Sequence, residues 1–239
     1  MNLLRALEGL ILPTQCVGCG RWDVALCCEC AALARMPPDS WGILEGESWG
    51  APEGGREGAL EGEAHRGDLP LWSLGEYDGP VRSILLAAKH RDRADTDVFM
   101  WEAGRTLGRS MSQSSLLGEW EELWVVPAPS QWRRRWNGRE VALMLGRGVA
   151  QGIYEGRGGR VRLVQACALR WGVGSQAGRS GGERRRGRAG TMRLRVELPS
   201  EVRVVVVDDV VTTGATIREM GRLLGAQVLG VGALCRVGR

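Results

Sequence analysis

One segment, residues 204–216, reads VVVVDDVVTTGAT and indicates both the class of fold and a ligand site. Its four valines form a continuous aliphatic run, which is typical of a central strand in a parallel sheet. Two carboxylates, Asp208 and Asp209, follow that strand, and a hydroxyl-rich loop then leads into a helix predicted over 216–224. Because ligands of open parallel sheets bind at the carboxyl ends of strands, and helix N-termini suit anions, we expect a phosphate site here. Its candidate phosphate-binding residues are Val210, Val211, Thr212, Thr213, Gly214, Ala215 and Thr216.

Outward from this segment, apolar patterns typical of strands and of helices alternate along the chain. The predicted strands cover 71–76, 123–126, 161–166, 202–207 and 228–234. The predicted helices cover 81–90, 96–111, 136–149 and 216–224. Such alternation predicts an α/β fold built on a parallel sheet.

The chain divides into three parts by composition. Residues 1–36 combine an amphipathic helix predicted over 2–12 with a cysteine cluster. Residues 37–70 are rich in Gly and Glu with little periodic hydrophobicity, which predicts a flexible linker or insertion. Residues 71–239 carry the α/β pattern. A chain of 239 residues has room for one such domain and a small attachment.

Composition excludes several classes of protein. Lys89 is the only lysine and is followed by His90, so the GK[ST] of a P-loop is absent. There is no HExxH motif, and the apolar runs are too short for a membrane span. The apolar start of the chain contains Glu8 and lacks a small-residue cleavage site, which argues against a secretory signal and predicts a cytoplasmic protein. The net charge of +4 is mild.

Four cysteines form two CxxC pairs separated by seven residues: Cys16, Cys19, Cys27 and Cys30. Paired CxxC motifs in a reducing compartment predict a tetrahedral structural Zn²⁺ site, and this short spacing predicts a compact knuckle. A redox CxxC is the alternative, although its usual βαβ context is missing, and unliganded surface thiols are another. The fifth cysteine of the cluster, Cys28, is either a spectator or a competing ligand.

The loop at 208–216 resembles that of phosphoribosyltransferases, in which two acids and TTGxT follow four apolar residues and bind phosphoribosyl pyrophosphate (PRPP). The resemblance implies a type I phosphoribosyltransferase-like parallel sheet with helices on both faces. It makes Asp208 and Asp209 the candidate catalytic residues, holding the ribose hydroxyls, and assigns the 5′-phosphate to Thr212–Thr216. It also implies Mg²⁺ bound with the pyrophosphate, since Mg²⁺ prefers phosphate and carboxylate oxygens.

Further motifs accompany this loop. They are the paired CxxC, YDGPVRSILLAAKHR at 77–91, VPAP at 126–129 and RWNG at 135–138. Together they resemble the competence-associated ComF family, although an Arg-Trp pair stands where the family has Gly before its aromatic residue. The resemblance implies a phosphoribosyltransferase-type protein with an N-terminal zinc knuckle that acts in DNA uptake during natural transformation.

Basic side chains suggest a second contact surface. The candidates for binding pyrophosphate or nucleic acid are Lys89, Arg133, Arg134, Arg135, Asn137 and Arg184. Arginines beside tryptophans suit single-stranded DNA and also pyrophosphate, and a solvated basic surface is the plain alternative. Two functions therefore stay open. One is an active transferase whose acceptor the sequence does not reveal, and the other is a non-catalytic zinc-containing adaptor for single-stranded DNA or competence-machinery proteins.

Overall fold

The computed structural model describes residues 14–44, 69–90, 94–130, 140–170 and 190–238. The strands in these ranges are β1 (Asp39–Leu44), β2 (Leu69–Ser73), β3 (Glu122–Pro127), β4 (Arg160–Leu163), β5 (Cys167–Leu169), β6 (Met192–Leu194), β7 (Arg203–Val211) and β8 (Val228–Arg236). The helices are α1 (Cys28–Ala32), α2 (Gly79–His90), α3 (Ala94–Gln113), α4 (Val141–Arg157) and α5 (Ala215–Leu224). Short 3₁₀ turns occupy Leu33–Arg35, Ser115–Leu117 and Gly225–Gln227.

Six strands form the main sheet in the order β1-β2-β8-β7-β3-β4. The five strands from β2 to β4 in that order are parallel, and β1 is antiparallel to β2 at one edge. The valine run lies in the middle of this sheet, where Val205 pairs with Val125 of β3 and Val206 pairs with Val231 of β8. All four valines are fully buried. The predicted α/β fold with a parallel sheet is confirmed.

Helices cover both faces of the sheet, and each face has its own core. Helices α2, α3 and α4 pack on the face that Val205 and Val207 line. Helix α5 and the small β5–β6 hairpin pack on the face that Val204 and Val206 line. Successive strand residues point to opposite faces, so a continuous apolar run in β7 supplies both cores at once.

Helices α3 and α4 lie unusually close together because glycines line their contact. A Cβ atom at Gly104 would overlap with the carbonyl oxygen of Leu145, and one at Gly148 with that of Trp101. Gly108 and Gly152 make equivalent backbone contacts one turn further on. The two backbones therefore touch directly, as they do where small residues recur four apart on packed helices.

The segment 37–70 was predicted to be a flexible linker, but both of its ends form strands. Residues Asp39–Leu44 form β1, and β2 begins at Leu69, with Leu44 paired to Leu69. An edge strand gains its hydrogen bonds from a partner that is distant in sequence. The Gly- and Glu-rich composition of the segment gives no sign of such a partner. Residues 45–68 lie outside the described residues, as does the N-terminal helix predicted over 2–12.

Other predicted elements shift in their bounds. Helix α4 is described from Val141 to Arg157 and so runs eight residues beyond the predicted end at 149. The predicted strand at 161–166 is shorter, since β4 ends at Leu163. Residues Cys167–Leu169 then pair with Met192–Leu194 as a hairpin that the sequence did not predict, because each strand has only three residues.

Candidate functional site at the carboxyl end of β7

Strand β7 carries the acid pair toward the carboxyl edge of the sheet and extends further than predicted. It continues through Val211 because Val210 and Val211 pair with Cys235 and Arg236 of β8. The predicted strand ended at 207, since carboxylates are rare inside buried strands. Asp208 and Asp209 are instead half-buried within the paired part of β7, which is one of the two middle strands of the sheet.

The two carboxylates point to opposite faces of the sheet. Asp209 lies on the α2 face, where its Oδ2 is 2.8 Å from the Nζ of Lys89. Asp208 lies, by strand alternation, on the α5 face, and its Oδ1 accepts a hydrogen bond from the backbone N–H of Asp209 at 2.8 Å. The two side chains therefore leave β7 in opposite directions at the carboxyl edge of the sheet.

The loop after β7 combines exposed hydroxyl groups with a left-handed glycine. Thr212 and Thr213 are exposed, while Gly214 has φ 70° and ψ 6° and directly precedes α5. That conformation is open to glycine at low cost, which explains the residue type here. The guanidinium of Arg218 donates to the carbonyl of Thr213 and so braces the loop from within α5. The result is a strand–loop–helix corner in which the first N–H groups of α5 point toward the carboxyl edge of the sheet.

A buried thiol lies under the acid pair. The Sγ of Cys235 is 3.8 Å from the carbonyl oxygen of Asp209. Burial and then the charge of Asp209 raise the pKa of Cys235 to about 12. Burial likewise raises the pKa of Cys167 to about 12. Both thiols are therefore neutral core residues, as the sequence predicted.

The four cysteines of the paired CxxC motifs come together as a cluster. Their Sγ atoms all lie within 4.8 Å of one another, a separation that suits ligands of a single ion. Cys16, Cys27 and Cys30 are buried and Cys19 is exposed. Backbone N–H groups already point at the sulfurs, from Cys27 to Cys16 at 3.3 Å and from Cys30 to Cys27 at 3.5 Å. The cluster could therefore hold a metal ion, and the exposed Cys28 stands outside it.

The thiols of this cluster differ in acidity because of their surroundings. Burial disfavours the Cys16 thiolate, but backbone donors at Cys19, Cys27 and Gly18 outweigh it and lower the pKa of Cys16 to about 6. Burial, followed by the neighbouring thiols, raises the pKa of Cys30 far above its ordinary value. Four thiolates this close repel one another, and a divalent cation is the usual partner that allows them all to ionise.

The cysteine cluster packs against the α/β domain. Gly18 lies between Cys30 and the side chain of Ile84 in α2, with no room for a Cβ. Arg35 pairs with Glu102 of α3 at 3.5 Å, and Ala34 is buried in the same core as Phe99. The knuckle and the domain therefore share a core.

A buried carboxylate that the sequence did not single out joins α5 to the β5–β6 hairpin. Glu219 is 3% exposed and accepts from the backbone N–H of Met192 and from the guanidinium of Arg222. Burial opposes its charge, yet these donors keep the pKa of Glu219 below its ordinary value. The only sign in the sequence that Glu219 is buried is its place near the apolar helix positions 217, 220 and 224.

Several predicted contact residues lie outside the described residues: Arg133, Arg134, Arg135, Asn137 and Arg184. Lys89 is described and reaches the acid pair from the last turn of α2. No helix in the described part of the chain has the length and apolarity to cross a bilayer. No protein-family model matches the chain, and no curated protein matches it with significant similarity.

Proposed function

We propose that the chain binds PRPP together with Mg²⁺ at the corner formed by β7, the loop 212–214 and α5. One observation carries this proposal. A parallel strand near the middle of the sheet delivers two carboxylates to its carboxyl end and passes, through the left-handed Gly214, directly into a helix. A phosphate suits the N–H groups of that helix start, and carboxylates beside it suit hydroxyl groups or a metal ion carried by the same ligand.

Each part of the corner has a proposed role. Thr212, Thr213 and the first turn of α5 bind the 5′-phosphate, and Thr216 adds a hydroxyl donor. Asp208 and Asp209 bind the ribose hydroxyls, and their negative charge stabilises the cationic sugar that forms when pyrophosphate leaves. Mg²⁺ supplies charge neutralisation for the pyrophosphate when it is bound. Displacement of pyrophosphate from the ribose would make the protein a glycosyltransferase. The proposal names no acceptor for the sugar.

We infer a role in DNA uptake from the resemblance to the ComF family. The combination of a cysteine knuckle with a domain of this kind supports the inference, and paired CxxC motifs that bind metal suit the cytoplasm. Single-stranded DNA and competence-machinery proteins are the proposed macromolecular partners. The arginines proposed to bind DNA are those that the sequence places beside tryptophans, Arg133, Arg134 and Arg135.

We also propose that the metal of the cysteine cluster is Zn²⁺ and that its role is structural. Four sulfur ligands select Zn²⁺ over harder cations, and a complete set of four leaves no open position for a substrate. The shared core with α2 and α3 fits a stabilising part of the fold better than a mobile redox pair.

Calorimetric titration of the full-length, zinc-loaded protein with PRPP and Mg²⁺ tests the proposed function. We expect saturable one-site binding that requires Mg²⁺. Ribose 5-phosphate should bind more weakly, because it lacks the pyrophosphate that carries the metal. Absence of heat with PRPP over the whole accessible concentration range would refute the proposed ligand. Release of pyrophosphate with a panel of bases and amines then separates a transferase from a binding protein.

A further inference from the structure

The single lysine of the chain pairs with the acid that faces α2. Lys89 lies in the last turn of α2, and its Nζ is 2.8 Å from Oδ2 of Asp209. Both side chains are only about one-sixth exposed, at 15% and 16%. A pair this sheltered from water is screened little by salt and holds its geometry better than a surface pair.

The choice of residue at position 89 points to a requirement for a compact charge. The chain has 32 Lys and Arg residues, and Lys89 is the only lysine among them. An ammonium is a small point charge that rotates freely, whereas a guanidinium is a planar fork that locks onto a carboxylate through two bonds. A lysine therefore pairs with Asp209 in a form that a competing ligand can displace.

The surroundings of this pair are rich in negative charge. Asp209, Asp78 and Asp208 all act on the Cys235 thiol and raise its pKa, and Lys89 opposes them. The end of α2 adds the partial negative charge of a helix C-terminus on the same side. Without Lys89 the Asp209 carboxylate would lose the cation that pairs with it, and an anionic oxygen of this kind attracts a bare divalent cation.

The geometry points to Lys89 as a positioning residue that reserves Asp209 for a metal already bound to its phosphorylated ligand. This inference rests on the proposed function. In the absence of ligand the ammonium neutralises Asp209 and excludes a free divalent cation. When the metal–pyrophosphate complex arrives, the metal and ribose oxygens replace Lys89 at Asp209, and the ammonium moves to a phosphate oxygen, which is its stronger partner. Metal and ligand thus bind together rather than in sequence.

The experiment measures Mn²⁺ binding by electron paramagnetic resonance, with no PRPP present, on the full-length zinc-loaded protein. Mn²⁺ prefers oxygen ligands, so the cysteine cluster does not compete for it. We expect wild type to bind Mn²⁺ weakly and Lys89→Met to bind it at least tenfold more tightly. Lys89→Arg, which keeps the charge, should stay weak, and Arg82→Met on the same helix is a control for the general loss of one positive charge. No gain in Lys89→Met, or an equal gain in Arg82→Met, overturns the inference.

A second arm measures Mg²⁺–PRPP affinity by calorimetry on the same proteins. Lys89→Met should bind the complex at least tenfold more weakly, although its affinity for Mn²⁺ alone has risen. A residue with a merely structural role cannot move the two affinities in opposite directions. Adding Asp209→Asn to Lys89→Met should abolish the gain in Mn²⁺ binding, and persistence of the gain overturns the assignment to Asp209. If wild type binds no PRPP while the Mn²⁺ gain is seen, the proposed function is refuted and cation exclusion by Lys89 stands.

Discussion

The carboxylate of Glu219 accepts a hydrogen bond from the backbone N–H of Met192 at 3.2 Å, which ties α5 to the β5–β6 hairpin. The same carboxylate accepts two hydrogen bonds from the guanidinium of Arg222, at 3.0 and 3.1 Å. Helix α5 begins directly after the proposed phosphate loop, and β6 pairs with β5 over the face that α5 covers. Glu219 therefore holds α5 against the β5–β6 hairpin, on the face of the sheet opposite Lys89.

Replacing Glu219 by Ala should destabilise the protein by about 2–3 kcal/mol, because hydrogen bonds to a buried charged group are lost and the Met192 N–H is left unpaired. The loss appears in chemical denaturation as a lower midpoint with an unchanged slope. Hydrogen exchange at residues 190–194 should speed up more than exchange in β7. Glu197→Ala, an exposed acid near the same hairpin, is the matched control and should change the midpoint little. Equal effects from both substitutions would contradict the structural role of Glu219.

The glycine contact between α3 and α4 predicts a second stability effect. Gly148→Ala places a methyl group on the carbonyl oxygen of Trp101, so the helices must move apart. We expect a loss of at least about 2 kcal/mol, well above the gain of about 1 kcal/mol in helix propensity. Gly146→Ala in the same helix is the control. A Cβ there lies 3.0 Å from the end of the Leu163 side chain, which can rotate, and its change in stability should be small.

The sequence predicted the middle of the sheet and the clustering of four cysteines well because both signals are local. Four consecutive valines bounded by charges specify a buried parallel strand whatever surrounds them, and two CxxC motifs bring their sulfurs together through short turns. The glycine at 214 marks the start of α5 for the same reason, since its left-handed conformation belongs to the loop itself.

The features that the sequence did not predict depend on distant partners. The position of Lys89 opposite Asp209 follows from how α2 crosses the sheet, and no spacing along the chain encodes it. Strand β1 exists because β2 offers an edge across a long connection, and Glu219 is buried because the hairpin covers it. A helical acid is ordinarily read as solvent-exposed, so only tertiary packing could reveal this one.

Because the knuckle and the domain share a core, metal removal should affect both of them. Metal analysis should find about one Zn²⁺ per chain, as a Cys₄ site requires. Chelation should then loosen the first turns of α3 around Phe99 as well as residues 14–36, because Ala34 and the cysteines pack in the same core. Hydrogen exchange with and without chelator measures this. Cys28→Ser should keep both the zinc and the protection, while Cys30→Ser should lose both. Purified protein without zinc would contradict the metal assignment.

Glu155 on α4 predicts a pH dependence of stability. Hydrogen bonds from Gln151 and then from Arg105 and Arg109 of α3 lower the pKa of Glu155 from 4.5 to about 2. Since the folded pKa lies below the unfolded value, its stabilising contribution is complete above pH 4.5 and is lost as pH falls toward about 2. Glu155→Gln should therefore flatten the acid limb of the stability curve in that window. An unchanged acid limb would show that the α3–α4 ion pairs contribute no net stability.

The two acids of β7 should respond differently to neutralisation, although they are adjacent. Asp208→Asn keeps an oxygen that accepts the Asp209 N–H, so its stability should change little. Asp209→Asn removes the charge opposite Lys89 in a pair that is mostly buried, and we expect the protein to lose about 1–3 kcal/mol of stability.

Both variants should bind Mg²⁺–PRPP at least about tenfold more weakly, since each loses hydrogen bonds to a charged group worth about 1.5–3 kcal/mol. Thermal unfolding and calorimetric titration of the two single variants separate these effects. Equal PRPP affinity in wild type and both variants would refute the assignment of the acids to the ribose, and equal unfolding temperatures would show that the Lys89–Asp209 pair does not stabilise the fold.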